Sequence, residues 1–317
     1  MDLNWVEDFR TLAETRSFSR AARLRSITQS AFSKRIRSLE QVLGGELILR
    51  NRQPLELSPL GKQFLIDSEA VVASVSLARR NAARMLGIGE NDIRFSAATT
   101  LAQSFYPPWI AAKKALLPEM IPQMASSRTM EEDADALEGG AIDFFLTYYR
   151  PDHPLPFDPQ TFDHKVLGHE ELLPVCAPAG DLSRPVFDLD RPDGRPIPYI
   201  SRLKGSYIGH LVDAHIDALK PAVHRDYEGA NGENIIGLLL HGNVIGWMPH
   251  DRVREYLSQH RLIRAGGPRW SIEVEVRLYR RASRDRRMIE RLWSLIGEGG
   301  LEFPSRPIAE PELPAHR

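Results

Sequence analysis

Between Thr28 and Gly45 the chain reads TQSAFSKRIRSLEQVLGG, with Phe32, Ile36, Leu39 and Leu43 at steps of four, three and four. That spacing draws one apolar stripe along a helix, and Gly44 and Gly45 supply its C-terminal stop. At about 100° per residue the other three apolar residues fall within about 40° of Phe32, while Ser30, Ser33, Lys34, Arg37 and Gln41 fall between about 100° and 200°. The stripe has to be buried, so the opposite face looks outward. A solvated face ordinarily mixes glutamate with lysine, and serine is a poor helix former, so this composition needs another reason. Small hydroxyls let a backbone approach a second surface closely, cations neutralise phosphates, and an amide such as Gln29 can pair with an adenine edge. The face is suited to the major groove of double-stranded DNA, in helix-turn-helix geometry.

The flanking sequence fits that geometry. Val6, Phe9, Leu12 and Ala13 predict a first helix. Ser17 then offers an N-cap to a helix of barely two turns carrying Phe18, Ala21, Ala22 and Leu24, and a turn through Arg25 to Ile27 follows. After the glycines, ELILRNRQPLEL alternates apolar and polar residues around Gln53 and Pro54, which predicts a small hairpin wing with Arg50 and Arg52 near its tip. Such arginines enter a minor groove or hold a phosphate, or are simply exposed in a loop. Ser58 and Pro59 open a helix with no breaker before about Met85. Along it Phe64, Ser68, Val71, Val75, Ala78, Ala82 and Met85 form a seam with small residues in its middle, suited to a second copy of the chain. The alternative is that three heptads rest on their own domain. Gly87 to Asn91 supplies a hinge.

Charge divides along the same line. Residues 1–90 hold 14 Lys and Arg against 10 Asp and Glu, and the remainder holds 27 against 32, behind an overall charge of -1. From Arg16 to Arg52 nine cations (Arg16, Arg20, Arg23, Arg25, Lys34, Arg35, Arg37, Arg50 and Arg52) are answered within the segment only by Glu40 and Glu46. A basic front of this kind suits a polyanion. At 317 residues the chain exceeds what one core usually organises, so two or three modules are expected. A single cysteine, Cys176, excludes an internal disulfide framework and cysteine-cluster zinc. No stretch approaches the roughly 20 apolar residues of a membrane span, and the start MDLNWVEDFR is unlike a secretory signal. A cytoplasmic protein without a membrane partner is expected.

Phe9, Ser17, Phe18, Ser19, Ala21, Ala22, Leu24, Thr28, Gln29, Ser30, Ala31, Ser33, Ile36, Leu39, Glu40, Gly44, Leu47, Arg50, Leu57 and Gly61, at these spacings, resemble the LysR-type transcriptional regulators. Ile48, Thr28 and Ser58 stand where the family usually or often has Phe, Ser and Thr. The resemblance implies an α+β multidomain chain. A winged helix-turn-helix domain is expected over 1–58 and a linker and dimerisation helix with hinge over 59–90. An effector-binding domain similar to periplasmic solute-binding proteins is expected over 91–301. Its first subdomain would hold about 91–164 and 268–301 and its second about 165–267, with 302–317 a disordered tail. Gln29, Ser30, Ser33, Lys34, Arg37, Arg50 and Arg52 are the expected DNA contacts, and Phe64, Val71, Val75, Ala78 and Ala82 the dimer seam. Implied partners are double-stranded DNA, a small-molecule effector, a second copy in a homodimer or homotetramer, and RNA polymerase.

In the C-terminal part Ile93, Phe95 and Ala97 alternate as a strand, with Thr99 and Thr100 capping a helix from about Leu101. LEGGAIDFFLTYY resembles the family's approach to a buried strand. The crossing into the second subdomain is expected near Asp163 to Leu167. ELLPVCA and PIPYIS are then predicted as strands and SYIGHLVDAHIDAL as a helix opened by Ser206. NIIGLLLHGNVIGWMPHDRVREYL resembles the family's helix, turn and strand, with Val244 in place of a usual glycine. SIEVEVRLYRRA and RDRRMIERLWSLI return as strand and helix. A ligand in such a fold sits between subdomains at strand ends and helix N-termini. Thr99, Thr100, Ser201, Arg202 and Ser206, with Thr147 and Tyr148 across the gap, are the candidates, and their donors favour a small anion or carboxylate. The hydroxyls could equally be only caps. SRLKGSY with PVCA resembles the hypochlorite-responsive branch. There Cys176, Met120, Met124, Met130 or Met248 would be the oxidised residue, although a strand cysteine between Val175 and Ala177 is more often buried and inert.

No catalytic, metal or cofactor site is expected. His210 and His215 are five apart, on different helix faces, and the chain has no HExxH, GxSxG, Walker loop or strand-borne GxGxxG. Glu131, Glu132 and Asp133 fit a helix N-terminus. The competing reading is a cytoplasmic solute-binding or enzymatic α/β domain whose helical front only dimerises.

Overall fold

The chain divides in a computed structural model into two compact units, Met1–Ile88 and Gly89–Arg317. The structure describes all residues except 1, 50–54, 86–88, 126–128, 181–183, 192–193, 203–204, 230–231, 242–243, 283–285 and 298–317. The expected wing tip, with Arg50 and Arg52, and the expected tail 302–317 lie outside the described residues.

The first unit runs α1 (Leu3–Thr15), α2 (Phe18–Leu24), α3 (Gln29–Leu43), β1 (Ile48–Leu49), β2 (Glu56–Leu57) and α4 (Pro59–Met85). Local chemistry sets these ends. Ser17 caps α2 by accepting from Arg20 N–H at 3.4 Å, Thr28 caps α3 by accepting from Ala31 N–H at 3.2 Å, and Gly44 ends α3 at φ +74°. Val6, Phe9, Leu12, Phe32, Ile36, Leu39, Leu47, Ile48 and Phe64 are buried together as the core. The wing is docked on α4. Ser58 N–H donates to Leu47 C=O at 3.0 Å, and a Cβ on Gly61 would meet that same oxygen at 2.1 Å, so only glycine allows the approach.

The second unit runs β3 (Asp92–Ala97), α5 (Thr99–Gln103), α6 (Tyr106–Leu116), β4 (Ile121–Met124), α7 (Met130–Glu138), β5 (Phe144–Tyr149) and β6 (Phe162–Cys176). It continues with β7 (Ile197–Arg202), α8 (Tyr207–Leu219), β8 (Val223–Gly229), α9 (Gly232–His241), β9 (Gly246–Pro249), α10 (His250–Ser258), β10 (Ile263–Arg264), β11 (Ile272–Arg281) and α11 (Arg287–Leu295). The main sheet is ordered β10-β6-β11-β5-β3-β4, with β9 also on β6, and β7 and β8 form a separate parallel pair. The crossing between subdomains expected near Asp163 to Leu167 falls within a strand. β6 is one run of 15 residues, with β11 antiparallel along it and the register slipping between Val276 and Arg277, where Leu167 is left over. Such a bulge bends the strand and raises its twist. ELLPVCA is the second half of β6, which pairs with β9 and β10.

Other readings shift by small steps with physical causes. Ala98 holds the N-cap position of α5 without a side-chain hydrogen bond, so Thr99 and Thr100 are its first helical residues and not its caps. Val244 is fully buried beside Leu239 and Met248, where a side chain is useful and a glycine would leave a void. β4 and β8 were not legible because both are largely exposed and lack a clean apolar alternation.

Candidate nucleic-acid interface and effector cleft

On α3, Phe32, Ile36, Leu39 and Glu40 are buried, and Gln29, Ser30, Lys34 and Arg37 are exposed with Ser33 half-buried. The polar face is therefore bare within its own unit. Gln29 Oε1 accepts from Ser19 Oγ at 3.0 Å, and the Thr28 and Ser30 hydroxyls lie 3.1 Å apart. These bonds order the N-terminal turn of the helix. Arg25 and Arg35 behave otherwise, since both are bound to Asp8 on α1. The charge count therefore overstated the free cations of this segment. On α4 the expected seam is divided. Phe64 lies 5.5 Å from Phe9, ring to ring, inside the core, and Ser68 is fully buried. Val71, Ala78 and Ala82 are exposed and Val75 is half-buried.

In the second unit a cavity of about 590 Å³ is lined by Arg202, Ser206, Tyr207 and His210 on one side and by Met130, Glu131 and the segment from Asp152 to Pro156 on the other. Ser206 caps α8, accepting from Gly209 N–H at 3.3 Å, so the first N–H groups of this helix face the same region. Arg202, at the end of β7, donates from Nη2 to Met248 Sδ at 3.6 Å, and its enclosed Nε has no hydrogen-bond partner among the described residues. Burial pulls its pKa down to about 10, with Tyr148 acting in the opposite sense, so it stays charged at neutral pH. Thr100 and Tyr148 are buried with their hydroxyls 3.0 Å apart. Ser201 is buried and donates to Tyr227 C=O at 3.3 Å. Thr99 is half-buried. Thr147 is buried on β5, and strand alternation turns it to the face opposite Tyr148. Of the seven candidates, the cavity wall holds Arg202 and Ser206.

Three features here escaped the sequence. Tyr207 OH donates to His153 C=O at 2.6 Å and accepts from Arg150 N–H at 2.9 Å, joining α8 to the segment after β5. His153 and His210 stand edge to face at 5.2 Å. Glu170, in the middle of β6, is 5% exposed and accepts from Glu171 and Asp251 N–H. Burial pushes its carboxyl up to about 8. All three depend on residues that are 50 or more positions apart or on burial alone, and neither leaves a local pattern. Among the described residues no group of three potential metal-ligating side chains is poised for an ion, and no helix is long and apolar enough to cross a membrane.

Residues 3–62 match the bacterial regulatory helix-turn-helix protein, lysR family, and residues 89–300 match the LysR substrate binding domain. The chain belongs to the LysR family. It is 27% identical over 302 residues to the HTH-type transcriptional regulator YjiE of Escherichia coli (strain K12), covering 94% of this chain and 95% of that protein. Among solved structures it is similar to Vibrio fischeri DarR in complex with DNA, at 28% identity and a TM-score of 0.57, covering 93% of this chain and 98% of that one. It is also similar to full-length HypT from Salmonella typhimurium, a hypochlorite-specific LysR-type transcriptional regulator, at 25% identity and a TM-score of 0.58, covering 93% and 97%. This LysR-family chain is thus a DNA-binding transcriptional regulator with an effector-binding domain, and not an enzyme. The reading as a solute-binding or enzymatic domain with a helical front is set aside by the family match across both units.

Proposed function

We propose that this regulator reads double-stranded DNA with Gln29, Ser30, Ser33, Lys34 and Arg37 of α3, aided by Arg50 and Arg52 of the wing. It acts as a homodimer or homotetramer paired through the exposed part of α4, and its output passes through RNA polymerase. A small carboxylate or other anion, held by Arg202 and the Ser206 end of α8, gates it. The observation that carries the effector class is the Arg202 guanidinium, a cation with an enclosed Nε lacking a partner in the wall of a cavity. Half-buried Arg202 forms no ion pair among the described residues, although Glu131, Asp152 and Asp213 also line the cavity, and such a cation favours a mobile acid. The remaining candidates, Thr99, Thr100, Thr147, Tyr148 and Ser201, do not line that cavity.

Thermal-shift screening of the chain with acetate, benzoate, citrate and phosphate tests this. At about 100 times its Kd a ligand of the native state adds about 2.7 kcal/mol. At least one of these anions should raise the melting temperature of the wild type and leave Arg202→Gln unmoved. Equal shifts in both proteins, or none in either, would refute the anion site. An oxidant finds support at methionine and not at the thiol: Met130 lines the cavity and Met248 touches Arg202, whereas burial pushes the Cys176 thiol up to about 11, leaving little thiolate.

A further inference from the structure

Asp8 lies on α1, wholly buried, and its two oxygens are taken by two arginines from other elements. One oxygen accepts from Arg25 Nε at 2.7 Å and the other from Arg35 Nη1 at 3.2 Å, while the adjacent Glu7 accepts from Arg25 Nη2 at 2.7 Å. Arg25 occupies the C-cap position of α2 and Arg35 sits in the middle of α3. One acid thus ties the first helix to the turn and to the recognition helix. Two of the cations that make the front of the chain basic, both half-buried, are paired with this acid.

We propose that Asp8 and Arg35 are positioning residues for DNA recognition: their pair fixes the rotation of α3 about its axis, and the charges of Arg25 and Arg35 are not available to phosphates. The apolar stripe alone is a loose gauge of rotation, because Phe32, Ile36 and Leu39 stay covered through a small turn. A directional ion pair is a strict one. At a side-chain radius of about 5 to 6 Å, a rotation of about 20° displaces a side chain by about 2 Å. That would part Arg35 from Asp8, now at 3.2 Å, and would carry Lys34 and Arg37 out of register with a groove by a similar distance. A misplacement of this size weakens phosphate contacts without removing any of them. Arg25, gripped by both Glu7 and Asp8, holds the turn that aims the helix, and its guanidinium is made harder to deprotonate: burial works against the charge, and the two acids outweigh it.

The inference rests on α3 being the helix that meets DNA, and one experiment separates the two claims. Binding of the full chain to a mixed-sequence duplex of about 40 base pairs is measured by fluorescence anisotropy across salt concentrations, where each phosphate contact contributes about 0.9 to the slope. Lys34→Gln should lower the slope by about 0.9, and an unchanged slope there would remove α3 as the DNA-reading helix. Arg35→Gln should weaken binding about tenfold at every salt concentration with the slope unchanged, since it misaligns contacts and deletes none. Asp8→Asn, which also loosens Arg25, should weaken binding at least as much with the slope again unchanged, and the double variant should bind no worse than Asp8→Asn alone, because that change already breaks the link to Arg35. Arg35→Lys, which keeps the cation, should recover most of the affinity. Loss of slope in Arg35→Gln equal to that in Lys34→Gln would make Arg35 a phosphate contact and overturn the proposal. Wild-type affinity in Arg35→Gln, or multiplying losses in the double variant, would overturn it too. Circular-dichroism melts establish that each variant is folded at the assay temperature, and Arg35→Met, which retains the packing of the stem, replaces Arg35→Gln if that variant is not.

Discussion

Replacing Glu170 by glutamine should change how the stability of the second unit depends on pH. The carboxyl is 5% exposed, and burial, the largest cause, raises it from an ordinary 4.5 to about 8, with Asp251 and Glu171 adding like-charge repulsion and two backbone N–H groups opposing. A carboxyl whose folded value lies above its unfolded value contributes stability that is complete below about 4.5 and lost as pH rises through about 8. Between pH 5 and pH 9 a shift of this size amounts to about 4 kcal/mol, at about 1.4 kcal/mol per unit. For a unit of this size about 1 kcal/mol moves the melting temperature by about 2 to 4 °C, so the wild type should lose on the order of 10 °C more than Glu170→Gln over that range. The amide cannot ionise, and it keeps one oxygen to accept from Glu171 or Asp251 N–H, so any cost of the exchange itself is independent of pH. Differential scanning fluorimetry of both proteins in matched buffers at each pH gives the comparison, and other titrating groups cancel in the difference. Parallel curves would mean that Glu170 is ionised in the folded state, and the account of β6 as a strand with a neutral acid at its middle would fail.

Gly61→Ala should destabilise the first unit by about 3 kcal/mol, the upper end of overpacking costs, because its Cβ would meet the Leu47 carbonyl oxygen at 2.1 Å; a circular-dichroism melt within 2 °C of wild type would contradict the clash. Phe64→Ala should cost about 3 to 5 kcal/mol in the same unit, whereas an exposed-face change such as Ala78→Asp should leave its melting temperature alone and reduce the assembled mass in light scattering. Tyr207→Phe removes both hydrogen bonds between α8 and the segment after β5, so hydrogen exchange should quicken at His153 and its neighbours, with the melting temperature lowered by a few degrees at most.

The helices of the first unit were legible because their signals are local. Ser17, Thr28 and Gly44 occupy the cap positions their chemistry suits, and Phe32, Ile36 and Leu39 repeat at the period of a helix. The seam on α4 shows the limit of that method. Its spacing is regular from Phe64 to Ala82, yet Phe64 is claimed by Phe9 of its own unit, because the first turns of α4 close the helix-turn-helix core before any second copy is met. Periodicity reports which residues share a face and says nothing of what covers that face. In the second unit Ser206 was legible as a cap of α8 for the same local reason. Thr147 and Tyr148 were named together as ligand contacts, and as neighbours in β5 they point to opposite faces of the sheet.

Charge is where counting along the chain misleads most, and Asp8 and Glu170 show why. Each is a buried acid, and the sequence marks neither, since an acid on an amphipathic helix or an alternating strand is ordinary. Their surroundings make them opposites. Asp8 sits between two guanidinium groups, which supply the charge and the hydrogen bonds that make burial of a carboxylate tolerable. Glu170 has backbone N–H donors and neighbouring acids, so burial favours its neutral form. The partners decide, and they come from residues 17 and 27 positions away in the first case and 81 in the second. Arg202 completes the series: a cation with an enclosed Nε left unbonded, paired with no acid among the described residues. An internal charge that the protein answers with its own residues holds the structure together, and the one left unbonded beside a cavity is the one proposed above to meet a ligand. The same distinction separates Arg35 from Lys34, adjacent in sequence and identical in charge, of which one is bound to Asp8 and the other stands exposed on the face proposed to meet DNA.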